Sequence, residues 1–155
     1  MAQKKKKMEA KDLMLGNWIR DDKYCQIVEV SDIYLDTHTL KTCSPIPVTE
    51  EILKAIGFEE YEDLPLEGIF YRYWDMDYKY KLDVRDFWTN SQRKWYVHID
   101  NDVCNTIGSG EFDYVHELQN LTRIITGHSL PITIDMLYGL GNDAEKRQKG
   151  CKCRI

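Results

Sequence analysis

Ile69-Phe70-Tyr71-Arg72-Tyr73-Trp74, Tyr78-Lys79-Tyr80-Lys81-Leu82-Asp83-Val84-Arg85 and Trp95-Tyr96-Val97-His98-Ile99 share one rhythm. Apolar and polar residues alternate in the second and third runs, and aromatic residues fill both phases of the first. A period of two is that of a strand with one buried face, because successive side chains point to opposite sides of a sheet. Two breaks separate the runs, Asp75-Met76-Asp77 and Thr89-Asn90-Ser91-Gln92, and both are rich in turn formers. Three antiparallel strands follow, with Ile69, Tyr71, Tyr73, Tyr78, Tyr80, Leu82, Val84, Trp95, Val97 and Ile99 in one phase of the alternation.

Such a face needs a cover, and the sequence offers one downstream. In Tyr114-Val115-His116-Glu117-Leu118-Gln119-Asn120-Leu121-Thr122-Arg123-Ile124-Ile125-Thr126 the period changes. Tyr114, Leu118, Leu121 and Ile125 fall four, three and four residues apart, which places them in one stripe along a helix. Asp113 stands where an N-cap accepts a backbone N–H, and Gly127 where a left-handed C-terminal residue is wanted. Gln119, Asn120 and Arg123 fall on the opposite side. Strands followed by a helix packed on one face define an α+β protein.

Upstream, Gly16-Asn17-Trp18-Ile19-Arg20, Cys25-Gln26-Ile27-Val28-Glu29-Val30, Ile33-Tyr34-Leu35 and Thr39-Leu40 suggest short strands. They suit a small, bent, SH3-like sheet as well as any antiparallel meander. Pro45-Ile46-Pro47-Val48 is extended, since each proline disfavours helix in the residue before it. Thr49 then caps a short helix over about 49–56, with Ile52, Leu53 and Ile56 inward, Gly57 as its stop and Phe58 tucked beneath. Ile132-Thr133-Ile134 would add an edge strand. No repeat and no Gly/Ser-rich or Pro-rich linker divides the chain, so 12–138 reads as one domain between a basic tail (1–11) and a second basic tail (139–155).

Charge narrows the partners. The chain of 155 residues has a net charge of −5, yet residues 1–11 carry +4 and residues 146–155 carry +5. By subtraction, the body from 12 to 145 holds −14. Phosphates would repel a body that acidic, so general nucleic-acid binding is not expected of it, and only the tails would meet polyanions. No apolar run reaches the ~18 residues of a membrane span, and the lysine-rich start is not followed by a signal-peptide core. The five cysteines are odd in number and mostly widely spaced, which favours thiols in a reducing cytosol.

Catalytic constellations are hard to find. Gly108-Ser109-Gly110 lacks the lysine of a P-loop and reads as a flexible loop entering the helix. His98 with Asp100 is a two-ligand fragment, His38 stands alone, and Cys151-Lys152-Cys153 is half a zinc site at most. No serine or cysteine has the adjacent base that a nucleophile needs. Neither an enzyme nor a cofactor is expected. The richest surface is the aromatic–basic hairpin, with ten aromatic residues between 70 and 96 and six of the body's eleven basic residues between 72 and 94. Arg72, Trp74, Lys79, Lys81, Arg85, Trp88 and Arg93 are its candidate ligand- or partner-binding residues. Trp and Arg would anchor a protein, or stack a nucleotide base and pair its phosphates. Asp75, Asp77, Asp83 and Asp86 stand among them and argue for a merely solvated face.

Three segments carry a resemblance: Leu15-Gly16-Asn17-Trp18-Ile19, Pro45-Ile46-Pro47-Val48-Thr49-Glu50-Glu51-Ile52-Leu53 through Gly57-Phe58, and Tyr114-Val115-His116-Glu117-Leu118-Gln119-Asn120-Leu121 through Thr126-Gly127. In that order, over roughly residues 13 to 130, the chain resembles a family of small proteins common in phages and prophages of Bacteroidetes gut bacteria. The resemblance carries over no catalytic residue. It implies a bacterial cytoplasm during infection, or an integrated element, and a small protein that occupies something of the host's. The leading expectation is therefore a phage-type accessory protein that binds without catalysis and interferes with a host process such as antiviral defence. It would capture a nucleotide signal or a host protein, alone or as a homo-oligomer. The alternatives are a virion-associated protein with its tails on packaged DNA and a metal-dependent hydrolase using His98 or His38.

Overall fold

The computed structural model describes residues 8–31, 40–63 and 68–138. The expected tails at 1–7 and 139–155, and Ile33-Tyr34-Leu35, His38 and Thr39, lie outside the described residues. The chain adopts the α+β class, with its strands divided between two antiparallel sheets. Strands β1 (Trp18–Asp21), β2 (Gln26–Glu29) and β3 (Cys43–Ser44) form the smaller sheet in the order β2-β1-β3. Strands β4 (Glu59–Asp63), β5 (Gly68–Asp75), β6 (Tyr80–Thr89), β7 (Gln92–Asn101) and β8 (Thr106–Phe112) form the larger as a simple meander. Helices α1 (Glu50–Ile56), α2 (Val115–Thr126) and α3 (Ile134–Tyr138), with a 3-10 turn at Ala10–Asp12, complete the described fold.

The period-two reading holds in register. Leu82 pairs with Ile99, Val84 with Val97 and Tyr71 with Val84, and all of these are buried on one face. Ile69 and Tyr78, in phase with them by sequence, are exposed, Ile69 near the start of its strand and Tyr78 in a turn. The turn between β6 and β7 is Asn90-Ser91, both at positive φ (51° and 63°), as the primed two-residue hairpin turn requires. Strands β4 and β8 lack a clear alternation. The first is four carboxylates around Tyr61, and the second contains two glycines.

Those glycines explain how the helix sits. Gly108-Ser109-Gly110 is not a loop but the middle of β8, paired with Ile99, His98 and Val97. A Cβ on Gly108 would stand 2.7 Å from Ile125, and one on Gly110 2.8 Å from Leu121. The sheet is stripped to backbone where these two side chains of α2 lie on it. Leu118, Val115 and Thr122 are wholly buried beside them. The N-cap is Tyr114 rather than Asp113: the Glu117 carboxylate accepts from the Tyr114 and Asp113 N–H groups at 3.2 and 2.8 Å. Asp113 is drawn aside into an ion pair with Lys94 at 2.8 Å. Gly127 ends the helix at φ 76°.

Helix α1 matches its sequence reading: Thr49 Oγ1 accepts from Ile52 N–H, Gly57 is left-handed and Phe58 is buried. Its approach, Ile46–Val48, runs beside Asp113–Val115 through Val48 N–H to Asp113 O and Val115 N–H to Ile46 O. The expected edge strand at Ile132-Thr133-Ile134 does not form. Pro131 supplies no N–H, and Ile134 instead opens α3.

The polar side of α2 does not face water alone. Gln119 Oε1 accepts from Trp18 N–H at 2.9 Å, and its Nε2 donates to Gly16 O at 3.1 Å. Asn120 accepts from Asn17 Nδ2 at 2.8 Å and donates to Asp12 O at 3.0 Å. Arg123 donates to Leu15 O. The Gly-Asn-Trp segment and the Gln-Asn-Leu helix, a hundred residues apart, thus form one hydrogen-bonded lock. It pins the smaller sheet, with its own cluster of Met8, Leu13, Ile19, Val30 and Leu40, against the helix.

Candidate functional site

Strand parity sorts the seven hairpin residues before any chemistry is considered. Arg72 and Trp74 on β5 and Lys81 and Arg85 on β6 share the face of the larger sheet away from the helices. Trp88 and Arg93 are directly paired with each other but have the opposite parity. They also lie at the other end of the hairpin. Along β6, Trp88 is roughly 23 Å from Lys81, the cross-strand partner of Trp74, at ~3.3 Å per residue. Lys79 is in the β5–β6 turn at φ 55°. The seven therefore do not converge on one ligand.

Most of the cations are already engaged. Arg72 grips Asp83 through two hydrogen bonds of 2.7 and 3.0 Å. That grip, the largest effect on it, holds the guanidinium pKa above its ordinary value. Lys81 is only 8% exposed and lies 3.1 Å from Asp100 and 3.5 Å from Asp83. Burial alone would raise the Asp100 carboxyl. Hydrogen bonds from Lys81 and Thr106, with the lysine's charge, outweigh burial and leave it below the ordinary value. Arg93 reaches Asp86 at 2.9 Å and Glu50 at the start of α1 at 2.6 Å.

The aromatic faces are engaged too. Tyr61 and Phe70 stack, and the Arg72 guanidinium lies 5.1 and 5.0 Å from their ring centres. Arg85 covers Phe70 at 4.9 Å. A base stacking here would have to displace arginines that hold cation–π contacts worth of order 0.5–1 kcal/mol each at exposed sites.

One row on this face has the residue types of a hydrolytic triad: Asp83, His98 and Ser109 are cross-strand neighbours on β6, β7 and β8. Its bonding is different. The Asp83 carboxylate is taken by Arg72, and the Ser109 hydroxyl accepts from Tyr96 OH at 2.9 Å. No hydrogen bond joins His98 to either among the described residues. No group of three His, Cys, Asp or Glu side chains among them is placed to hold a metal ion. Neither Cys43 nor Cys104 is in a disulfide. Burial pushes the Cys43 thiol up to about 11, so it is protonated at neutral pH and a poor nucleophile. Cys25 is disulfide-bonded, so the expectation of free thiols does not hold there.

The feature that the hairpin pattern concealed lies at one end of the sheet. The β5–β6 and β7–β8 turns meet there, because Tyr80 pairs with Asn101. Trp74 (44% exposed), Met76 (80%), Tyr78, Val103 and Ile107 all open to the surface at this end. The Tyr78 ring stacks on His128, just past α2, at 3.6 Å between centres. Exposed Asp77 and Asp102 flank the group. Alternation could not show this group, because its members come from the ends of two hairpins far apart in the chain. No family model matches this chain, and no curated protein or solved structure matches it at a significant level.

Proposed function

We propose that this protein works by non-catalytic binding, as a phage-type accessory protein that captures a bacterial host protein and so blocks a host process such as antiviral defence. The observation that carries the reading is the contrast between the engaged charges of the outer sheet face and the exposed Trp74–Met76–Tyr78–Val103–Ile107 end. Trp, Tyr and Met are the side chains that most often anchor protein interfaces. Clusters of apolar residues on a soluble chain mark such sites. The flanking Asp77 and Asp102, on an acidic body, favour a target whose rim is basic. The phage context comes from the Gly-Asn-Trp, Pro-Ile-Pro-Val and Tyr-Val-His-Glu-Leu motifs. Those motifs build the helix lock and the α1 entry, so they speak to ancestry rather than to the target.

Capture of a nucleotide signal is the weaker version. It needs Arg72, Lys81 and Arg93 for phosphates that Asp83, Asp100, Asp86 and Glu50 would compete with. The test is affinity capture from a Bacteroidetes lysate with the full chain and with Trp74→Ala/Met76→Ala. A specific protein retained by the first and reduced at least tenfold with the second is the expected outcome. Equal recovery by both moves the site elsewhere. Heat on titration with cyclic di- or trinucleotides, with no protein retained, would replace this reading by signal capture.

A further inference from the structure

The two edges of the five-stranded sheet are finished in opposite ways. The β4 edge is Glu59-Glu60-Tyr61-Glu62-Asp63, four carboxylates in five residues. An incoming strand would meet a row of like charge, the kind of guard by which proteins keep edges from pairing. The β8 edge is Thr106-Ile107-Gly108-Ser109-Gly110-Glu111-Phe112. It has seven residues, one charge, no lysine and no proline. Among the described residues β7 is its only strand partner, and the Ile46–Val48 segment runs beside the chain only past its end, at Asp113–Val115. Half the backbone groups of an edge strand face outward, and here nothing in the side chains discourages their use.

We infer that β8 is a homodimer edge: two copies of this chain pair β8 to β8 antiparallel, joining their larger sheets into one of ten strands. Antiparallel pairing of a strand with itself is isologous, so it closes at two copies. The guarded β4 edges then stop further growth. The sequence of β8 is compatible with its own reversal. About a dyad at Ser109, Gly108 faces Gly110 of the second copy and Ile107 faces Glu111. The two Glu111 side chains are thereby kept well apart along the ribbon. A second feature lies on the helix above this strand. Ile124 is 67% exposed and sits one step round α2 from Leu121, which rests on Gly110. In the paired sheet the two α2 helices run side by side over the joined strands, and Ile124 becomes a contact between them. An extended segment of another protein would use the same backbone groups, but it supplies no reason for an exposed isoleucine on the neighbouring helix. This inference shares Ile107 with the turn end but does not depend on the target captured there, and its test reads the mass of the chain alone.

Sedimentation of the full chain tests it. The expected result is a species of twice the 18.3 kDa chain mass, dissociating on dilution. Ile107→Glu/Ser109→Glu sets carboxylates against Glu111 of the second copy and against each other across the dyad, on exposed positions, and should give the monomer mass at every concentration, with the circular dichroism spectrum unchanged. Ile124→Lys should weaken the dimer at least tenfold. If the double variant fails to fold, amide exchange of the wild type decides. Protection of Thr106–Phe112 that rises with protein concentration supports the edge, and protection independent of concentration overturns it. A wild type that is monomeric throughout, or a dimer that survives the folded double variant, also overturns it.

Discussion

The two faces of the larger sheet are made from alternate residues of the same strands and are held by opposite physics. On the inner face Leu82, Val84, Val97 and Ile99 are fully buried in the core, and two glycines let α2 rest on the sheet backbone. On the outer face no described helix takes the place of α2, and the strands shield one another through a ladder of Arg72–Asp83, Lys81–Asp100 and stacked Tyr61–Phe70. The first face gains from leaving water and needs close packing. The second gains from pairing charges that are partly desolvated, which works only while every partner is present. A run of arginines and aromatics can therefore look like a binding surface and be a finished structural one.

The inner face should break hardest. Leu118→Ala removes a side chain with no exposed surface, and a loss of about 3 kcal/mol is expected from the denaturant midpoint. Gly110→Val drives a branched side chain into Leu121 and should cost about 2 kcal/mol or more. The lock on the far side of α2 is next. Gln119→Ala leaves the Trp18 N–H and the Gly16 carbonyl without their partner, a loss of about 2 kcal/mol. A value near zero would show that the smaller sheet does not depend on the helix.

The outer ladder should respond through coupling. Lys81→Met strands Asp100 and should cost about 2 kcal/mol, whereas adding Asp100→Asn should recover part of it. Simple additivity would dissolve the ladder into independent surface residues. The same pair gives a pH signature. Because the folded Asp100 pKa lies below its ordinary 3.8, its contribution is complete above that value and lost as pH falls through the folded pKa. Acid unfolding of Asp100→Asn should accordingly begin less steeply than that of the wild type. Smallest in stability, within about 0.5 kcal/mol, should be Trp74→Ala/Met76→Ala, since exposed side chains contribute little to folding. Its effect belongs in partner capture.

Alternation from Tyr80 to Val84 and from Trp95 to Ile99 was enough to name the strands and their inward residues, because burial on one face repeats with the pleat. Thr49, Gly57 and Gly127 marked helix ends by local chemistry, for the same reason that caps act within one turn. Gly108 and Gly110 looked like a loop because the bulk that excludes a side chain there, Leu121 and Ile125, comes from another element. Gln119, Asn120 and Arg123 looked like a solvent face because their partners are backbone groups a hundred residues earlier. Whether Arg72 or Lys81 was free to bind depended on register, since Asp83 and Asp100, respectively far from them in sequence, become their partners only when the next strand sets them opposite. The chain's own pattern thus determined its central strands, its two capped helices and the core between them. Pairing across strands, which no local pattern encodes, decided which charges were spent and left Trp74, Met76 and the β8 edge open.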